Sequence, residues 1–296
     1  MMSTLQEWIS SGKPIVLDGA MGTMLMAAGL ESGDPPEEWN VLYPDRVRSI
    51  HRAYIQAGSQ IFLTNSFGGS SFRLAMHQLQ DRVAELNAAA ARIARSEADA
   101  ADRPVLVGGS IGPTGQLFEP MGTLTFEDAV CAFKEQAAGL ADGGVDLFWI
   151  ETMSDLDEVK AAVAGIREVS QLPVAATMSF DTHGHTMMGV SPTRAVQELS
   201  QLDLVALGAN CGTGSDELID AITAMRAENP DVVLIAKANA GIPQVVGGEV
   251  VYNGSPQVMA AYAKQVYETG AQLIGGCCGN TPAHVQAMAN ALAEMP

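Results

Sequence analysis

The sequence predicts an α/β protein, with residues 1–296 forming a single (β/α)8 TIM barrel. The first indication is a set of eight short apolar runs that alternate with longer segments of helical composition. The second is that several runs are continuously apolar, as strands covered by helices on both faces must be. Such alternation gives a parallel sheet with right-handed crossovers. An open doubly wound sheet is the alternative arrangement of the same elements.

The predicted strands share an apolar centre and a small or polar residue where each one ends. In chain order they cover 14–18, 60–65, 105–110, 146–151, 174–180, 205–211, 232–239 and 272–278. Two long loops rich in Gly and Pro, 111–124 and 240–254, follow strand ends. In a barrel, the loops at these ends build the active site.

The predicted helices mostly begin after Ser or Thr, often with Pro next, which is the expected order of an N-cap and a first helical residue. One helix begins at Pro44 and spans 44–57, and another covers 80–101, which is rich in Ala, Glu and Arg. Six further helices are expected, each after a Ser or Thr. Thr125 precedes one of them, and the others are 155–169 after Ser154, 193–202 after Ser191, 216–228 after Ser215, 257–269 after Ser255 and 283–294 after Thr281.

Composition excludes several function classes. A formal charge of −18 argues against binding to nucleic acid or to anionic membranes, which require basic patches. The N-terminal residues do not resemble a signal peptide, and no run is long enough to span a membrane, so a cytoplasmic location is expected. Four cysteines in 296 residues are too few for a disulfide scaffold, so they are interpreted as thiols or metal ligands.

The residues at the strand ends converge on one rim if the sheet closes. They are Asp18, Asn65, Ser110, Glu151, Ser179, Cys211, Asn239, Cys277 and Cys278. Three thiolates leave one tetrahedral zinc position open, which is the catalytic arrangement. A redox thiol pair is the alternative, although the sequence has no Cys-x-x-Cys. Cys131, in the middle of a predicted helix, is interpreted as a small buried residue.

Other residues have two interpretations. His183 and His185 are either metal ligands or part of a polar turn after the fifth strand. Asp18 and Glu151 either bind a substrate ammonium group or serve as caps and solvated strand ends. Ser110 and backbone N–H groups of the glycine-rich loops are candidates for binding a substrate carboxylate.

Seven segments resemble the homocysteine S-methyltransferase family over about residues 14–290. They are LDGAMGTML (17–25), LTNSFGGS (63–70), GGSIGPTG (108–115), IET (150–152), GANCGTG (208–214), KANAG (237–241) and GGCCGNTPAH (275–284). The segments LDGAMGT and KANAG are most similar to the homocysteine-binding module of cobalamin-dependent methionine synthase. The family also includes betaine–homocysteine methyltransferases. We expect 296 residues to be too few for the other modules of that synthase.

The resemblance implies that Cys211, Cys277 and Cys278 hold Zn2+ and act through it in catalysis. It also implies that Asn239 occupies the fourth zinc position when substrate is absent, and that Asp18, Gly19 and Glu151 surround the substrate amino acid. Zinc binding deprotonates a coordinating thiol, and three cysteine thiolates keep that sulfur electron-rich. The expected reaction is methyl transfer to homocysteine, which gives methionine.

The methyl donor is left open between two classes. A small sulfonium or ammonium compound, such as S-methylmethionine or betaine, favours an aromatic pocket. Trp39, Phe67, Phe118 and Tyr252 are candidates for its walls, or they simply pack the loops. The alternative is a homocysteine-activating subunit of a split methionine synthase, which takes the methyl group from a separate methyl-corrinoid protein. Two other function classes are a zinc hydrolase or lyase and a non-catalytic binding subunit. The sequence indicates no oligomeric state.

Overall fold

The computed structural model describes residues 3–212, 214–246 and 249–295. Parallel strands alternate with helices along the chain, and a short antiparallel pair is inserted near the end. The strands are β1 (Ile15–Val16), β2 (Ile61–Leu63), β3 (Leu106–Ile111), β4 (Leu147–Met153), β5 (Val174–Met178), β6 (Ala206–Cys211), β7 (Leu234–Ala238), β8 (Pro243–Val246), β9 (Glu249–Tyr252) and β10 (Ala271–Gly276).

The helices lie between these strands. They are α1 (Thr4–Ser10), α2 (Met21–Ala27), α3 (Trp39–Leu42), α4 (Pro44–Gln56), α5 (Ser71–Ala75), α6 (Val83–Asp99), α7 (Phe126–Gly143), α8 (Leu156–Val169), α9 (Pro192–Leu199), α10 (Ser215–Glu228), α11 (Pro256–Glu268) and α12 (Pro282–Ala293). Two 3-10 turns, Pro36–Glu38 and Gln80–Arg82, precede α3 and α6. Within the described ranges, no helix combines the length and the apolar character needed to cross a bilayer.

Eight of the strands form one parallel sheet in the order β1-β10-β7-β6-β5-β4-β3-β2. A parallel bridge between Leu17 and Ile61 joins the two ends of this order, so the sheet closes on itself. The prediction of a (β/α)8 barrel is therefore confirmed, and the open doubly wound alternative is wrong. All eight predicted strands are present, and each C-terminal end reaches the same rim.

Two apolar layers hold the barrel together. The inner layer fills the space enclosed by the strands and includes Leu17, Ile61, Trp149 and Ile235, together with Leu5 from α1. The outer layer packs the strands against the surrounding helices. Helix α1 lies against the eighth barrel strand, since Gln272 of β10 donates hydrogen bonds to the carbonyls of Trp8 and Ile9. The polar rim at the opposite end is thus left free for a site.

Two predicted caps are wrong by one residue. The cap of α8 is Asp155 and not Ser154, because its carboxylate accepts a hydrogen bond from the N–H of Asp157. Ser215 is the first residue of α10, and Gly214 occupies its N-cap. Both segments offer two adjacent residues that suit a helix start, and the sequence does not distinguish between them.

The predicted loop 240–254 contains the hairpin of β8 and β9, which pair antiparallel from Pro243–Tyr252 to Val246–Glu249. Two valine-containing runs around a Gly-Gly pair are a hairpin signal that the sequence prediction missed. Gly247 and Gly248 themselves lie outside the described residues. The short helices α1, α2, α3 and α5 were also not predicted, because four to seven residues carry little periodicity.

Gly208 in β6 is required by the close approach of β7. A Cβ atom there would overlap the backbone carbonyl of Ile235, which no side-chain motion can relieve. Gly208→Ala is therefore expected to lower the free energy of unfolding by about 2 kcal/mol or more. Urea denaturation measures this, with Gly22→Ala as the control, because a Cβ at Gly22 meets no atom within 4 Å. Equal stability of Gly208→Ala and the wild type would contradict the close approach.

Candidate metal and substrate site

The three cysteines predicted at the rim come together in the structure. Cys211 ends β6, and Cys277 and Cys278 follow β10 directly. The Sγ atom of Cys211 lies 2.9 Å from that of Cys277 and 3.9 Å from that of Cys278. All three sulfurs lie within 4.8 Å of one another, and they are the one such cluster of metal-ligand side chains among the described residues.

Backbone and amide hydrogen bonds fix the Cys277–Cys278 turn. The N–H of Cys277 donates to the carbonyl of Ala238 at 2.8 Å, and the N–H of Ala240 donates to the carbonyl of Cys278 at 2.9 Å. The Asn280 amide donates to the carbonyls of Ala238 and Cys277 at 2.9 and 3.0 Å. The turn is thereby tied to the end of β7, the strand that separates β10 from β6.

Cys211 has a strained backbone. Its φ of 60° lies in the left-handed region, which non-glycine residues rarely adopt. Such a conformation costs on the order of 1–3 kcal/mol and tends to occur at functional sites. At Cys211 it occurs where the sulfur meets the two sulfurs of β10.

The donor set fits a tetrahedral metal. Metal–sulfur bonds of about 2.3 Å in a tetrahedral site separate the sulfurs by roughly 3.8 Å. The Cys211–Cys278 distance of 3.9 Å matches this separation, and the Cys211–Cys277 distance of 2.9 Å is shorter. Hydrogen bonds from Cys211 and Cys277 lower the pKa of the Cys278 thiol to about 3. Hydrogen bonds with the two neighbouring thiols raise the pKa of Cys211. A divalent cation bound by the three sulfurs would displace their remaining protons.

Two further side chains adjoin the sulfur cluster. The Asn239 side chain donates to the carbonyl of Gly212 at 2.8 Å, while its buried oxygen has no partner among the described residues. The Tyr252 side chain, at the end of β9, forms a hydrogen bond with Cys278. The Asn239 amide lies near Cys211 in the fold, because its partner Gly212 directly follows that cysteine.

A buried ion pair lies beside the cluster. The Nζ atom of Lys237 in β7 is 2.8 Å from Oδ1 of Asp18, and the two side chains are 3% and 4% exposed. The other Asp18 oxygen accepts the N–H of Leu63 at 2.8 Å. Burial favours the neutral form of Lys237, but the nearby charges of Asp18 and Glu151 outweigh it and raise the pKa of the ammonium group.

Glu151 is the second buried carboxylate. It accepts a hydrogen bond of 2.5 Å from the Ser110 hydroxyl. Burial raises the pKa of Glu151 to about 7, although Lys237 and Ser110 act in the opposite direction. Lys237 and Ser110 therefore favour the charged form of Glu151, whereas burial favours its protonated, neutral form.

Asn210 links the strands beneath the site. Its side-chain oxygen accepts the N–H of Thr152 at 2.8 Å and the hydroxyl of Thr177 at 2.7 Å. Its amide nitrogen lies 3.6 Å from the sulfur of Cys277. Thr152, next to Glu151, also has a left-handed φ of 63°. The Asn210 amide thus contacts both Thr152, which follows Glu151, and the sulfur of Cys277.

The sequence prediction missed Asn210 and Lys237 as site residues, although signals for both were present. Lys237 is a charged residue within an otherwise apolar strand, and buried charges require partners. Asn210 directly precedes a cysteine at a strand end. Neither signal identifies the partner, which the barrel brings from a distant part of the sequence.

A cavity of about 430 Å³ opens at this rim. Its walls include most of the predicted site residues, namely Asp18, Gly19, Asn65, Ser110, Glu151, Cys211, Cys277 and Cys278. Lys237 also contributes to the wall, and Asn239 and Ser179 do not. Glu37, Arg73 and His77 line the cavity as well, none of which the sequence analysis had selected.

The four aromatic candidates do not gather into one cage. All four are described, and Phe67 alone lines the cavity. Trp39 is buried, and the Arg46 guanidinium lies 5.0 Å from its ring centroid. Phe118 pairs with Leu124 in the loop after β3. Packing of the loops, the second interpretation, therefore describes Trp39 and Phe118.

Three remaining candidates lie outside the site. His183 and His185 occupy an exposed turn in which an imidazole nitrogen of His185 pairs with the His183 carbonyl, as the polar-turn interpretation expects. The interpretation of Cys131 as buried is wrong, because its thiol is exposed. Helix α7 buries the face that contains Ala129, Ala132 and Phe133, and Cys131 lies off that face.

Comparisons with known proteins agree on one relationship. A family model described as homocysteine S-methyltransferase matches residues 15–292. The methionine synthase of Mycobacterium tuberculosis is 33% identical in sequence over 97% of this chain. The methionine synthase of Mycobacterium leprae is 32% identical over 99% of this chain. The chain spans 25% of the length of each of these two relatives.

Solved structures give the same relationship. The homocysteine methyltransferase MmuM from Escherichia coli, in its metallated form, matches with a TM-score of 0.80 and 25% identity over 95% of this chain and 98% of its own. Its oxidized form matches with a TM-score of 0.81 and 26% identity over 98% and 99% of the two chains. A methyltransferase from Methanosarcina mazei, at 11% identity and a TM-score of 0.64, shares the fold.

The pKa of Glu151 predicts how stability depends on pH. The folded protein keeps the Glu151 proton up to about pH 7, whereas the unfolded chain releases it near the ordinary value of 4.5. The free energy of unfolding should therefore fall as pH rises between these values, by on the order of 3 kcal/mol from this group.

Urea denaturation of chelator-treated protein from pH 4.5 to 8 measures this contribution. The difference between wild type and Glu151→Gln isolates Glu151, because the other titrating groups are common to both proteins. Parallel stability curves for the two proteins would contradict the assignment.

Proposed function

The chain belongs to the homocysteine S-methyltransferase family, and from this premise we propose that it transfers a methyl group to the thiol of homocysteine and yields methionine. The observation that carries the proposal is the cluster of three cysteine sulfurs within 4.8 Å of one another, in the wall of a cavity that also contains the buried carboxylates of Asp18 and Glu151. A thiol amino acid needs one site for its sulfur and another for its ammonium group. This cavity offers both.

We propose zinc as the metal, held by Cys211, Cys277 and Cys278. Three thiolates suit zinc better than harder cations, and three protein ligands leave a position for substrate. When bound, zinc would supply a lower pKa for the substrate thiol. The unpartnered Asn239 oxygen is suited to the fourth position when homocysteine is absent. Because these thiols must stay reduced, we place the reaction in a reducing compartment such as the cytoplasm.

The amino-acid end of homocysteine is assigned to the carboxylate side of the cavity. Asp18 and Glu151 are both buried there, and an ammonium group pairs with buried carboxylates. The Ser110 hydroxyl already donates to Glu151, so we propose that it orients this carboxylate and does not bind the substrate carboxylate. Gly19 allows close packing at the end of β1, since a Cβ would collide with Tyr54.

The proposed donor is a small sulfonium or ammonium compound. The second candidate is a homocysteine-activating unit that receives the methyl group from a methyl-corrinoid protein. The observation that favours the second candidate is the similarity to proteins named methionine synthase over nearly the whole of this chain. A hydrolase is disfavoured by the donor set, because three thiolates make a poor generator of hydroxide.

Cys277→Ala is expected to abolish both zinc binding and methyl transfer while the barrel remains folded. Removal of one of three thiolates leaves too few ligands for a catalytic zinc site. Metal analysis after dialysis, a homocysteine methylation assay and circular dichroism measure the three properties. Cys131→Ala is the matched control, because that thiol is exposed on α7. Full zinc content in Cys277→Ala would contradict the proposed ligand set.

A donor panel separates the two candidate functions. Zinc-loaded protein is incubated with homocysteine and, in separate reactions, S-methylmethionine, betaine or a methyl-corrinoid protein. We expect methionine from a small onium donor alone. Methionine with the corrinoid protein only would support the second candidate, and no methionine with any donor would contradict both.

A further inference from the structure

Lys237 is a buried cation in the wall of the substrate cavity, and the proposed reaction does not yet use it. The other residues of β7 are Leu, Ile and Ala, so this strand buries one charge. A buried ammonium group without a partner is very unfavourable, and the Asp18 carboxylate at 2.8 Å supplies that partner. The Trp149 ring, with its centroid 5.8 Å from Nζ, covers another side.

The ion pair fixes the position of Asp18. One oxygen of Asp18 accepts from Lys237 and the other accepts from the Leu63 N–H, so both oxygens are held. Without Lys237, this carboxylate would keep one backbone hydrogen bond and no cation. Since Asp18 follows β1 while Lys237 lies in β7, the contact spans β10, the strand between them.

Lys237 also sets the charge of the pocket. Asp18 and Glu151 carry two negative charges when ionised, and Lys237 cancels one of them. Glu37, a third carboxylate of the cavity wall, interacts with the charge of Arg73, which offsets its own. The remaining single negative charge matches one substrate ammonium group. Without Lys237 the pocket would hold two buried carboxylates with surplus negative charge. Without Asp18 it would hold no net charge and would no longer attract an ammonium group.

A role for Lys237 as an amine nucleophile does not agree with this geometry. The side chain is 3% exposed, and its nitrogen is hydrogen-bonded to a carboxylate. An amine nucleophile must be neutral and reach the substrate. Lys237 is held as a buried ammonium ion instead.

We propose that Lys237 is a positioning residue that selects for the amino group of the thiol substrate. It holds Asp18 in place and balances the pocket so that one negative charge faces the ammonium group of homocysteine. The inference rests on the proposed function, since it takes homocysteine as the ligand of this cavity. On this proposal, the Asp18–Lys237 pair is what makes the site prefer thiol amino acids over thiols without an amino group.

The test compares two ligands and three variants of the zinc-loaded protein. The ligands are L-homocysteine and 4-mercaptobutanoate, which has the same thiol, chain length and carboxylate but no amino group. The variants are Lys237→Met, Asp18→Asn and the double variant that carries both substitutions. Calorimetric titration above pH 7, where Glu151 is ionised, gives the dissociation constants without any methyl donor. Metal analysis verifies the zinc content of each protein.

Lys237→Met and Asp18→Asn are each expected to weaken homocysteine binding by about tenfold or more, because Asp18 loses its fixed position in the first and its charge in the second. Binding of 4-mercaptobutanoate should change by less than about threefold. The double variant regains a pocket with the single charge of Glu151, so it should bind homocysteine more tightly than Asp18→Asn. Lys264→Met, which removes an exposed pair with Glu294, is the matched control and should change neither constant.

Two results would overturn this inference and leave the proposed function standing. The first is an equal loss for both ligands in Lys237→Met, which would indicate a purely structural lysine. The second is a double variant that binds homocysteine no better than Asp18→Asn, and this comparison remains decisive if Lys237→Met does not fold. Failure of the wild-type protein to bind homocysteine would overturn the proposed function as well.

Discussion

Closure of the parallel sheet is the constraint on which every feature of the site depends. Leu17 and Ile61 complete the ring, and all eight C-terminal strand ends then face the same space. Residues separated by more than 200 positions in sequence, such as Asp18 and Lys237, become hydrogen-bonded neighbours. Neither the sulfur cluster nor the buried ion pair can form from local structure alone, since each takes groups from non-adjacent strands.

The site places two chemically different environments in one cavity. On one side, three cysteine sulfurs lie within 4.8 Å of one another. On the other, Lys237 cancels one of the two negative charges that Asp18 and Glu151 carry when ionised. Asn210 connects the two sides through Thr152 and Cys277. These two environments are the basis for the proposed binding of homocysteine.

The fold was largely predictable, and the site was predictable in part. Apolar runs and caps identify all eight barrel strands, because periodicity and capping are local signals. The family resemblance is confirmed, and the three cysteines do meet. The Lys237–Asp18 contact and the Ser110–Glu151 bond were not predicted, because pairing depends on register and side-chain direction across the ring. Exposure of Cys131 depends on which helix face packs inward, and a weakly amphipathic helix does not reveal that.

The position of the Cys277–Cys278 turn has a consequence for how the protein is made. β10 provides both the pairing partner of β1 and the strand that leads into two of the three sulfurs. During synthesis from the N-terminus, neither the ring nor the cluster can be completed until residue 278 has left the ribosome. Uptake of the proposed metal would therefore belong to the last stage of folding, and a nascent chain that stalls earlier presents only Cys211 of this set.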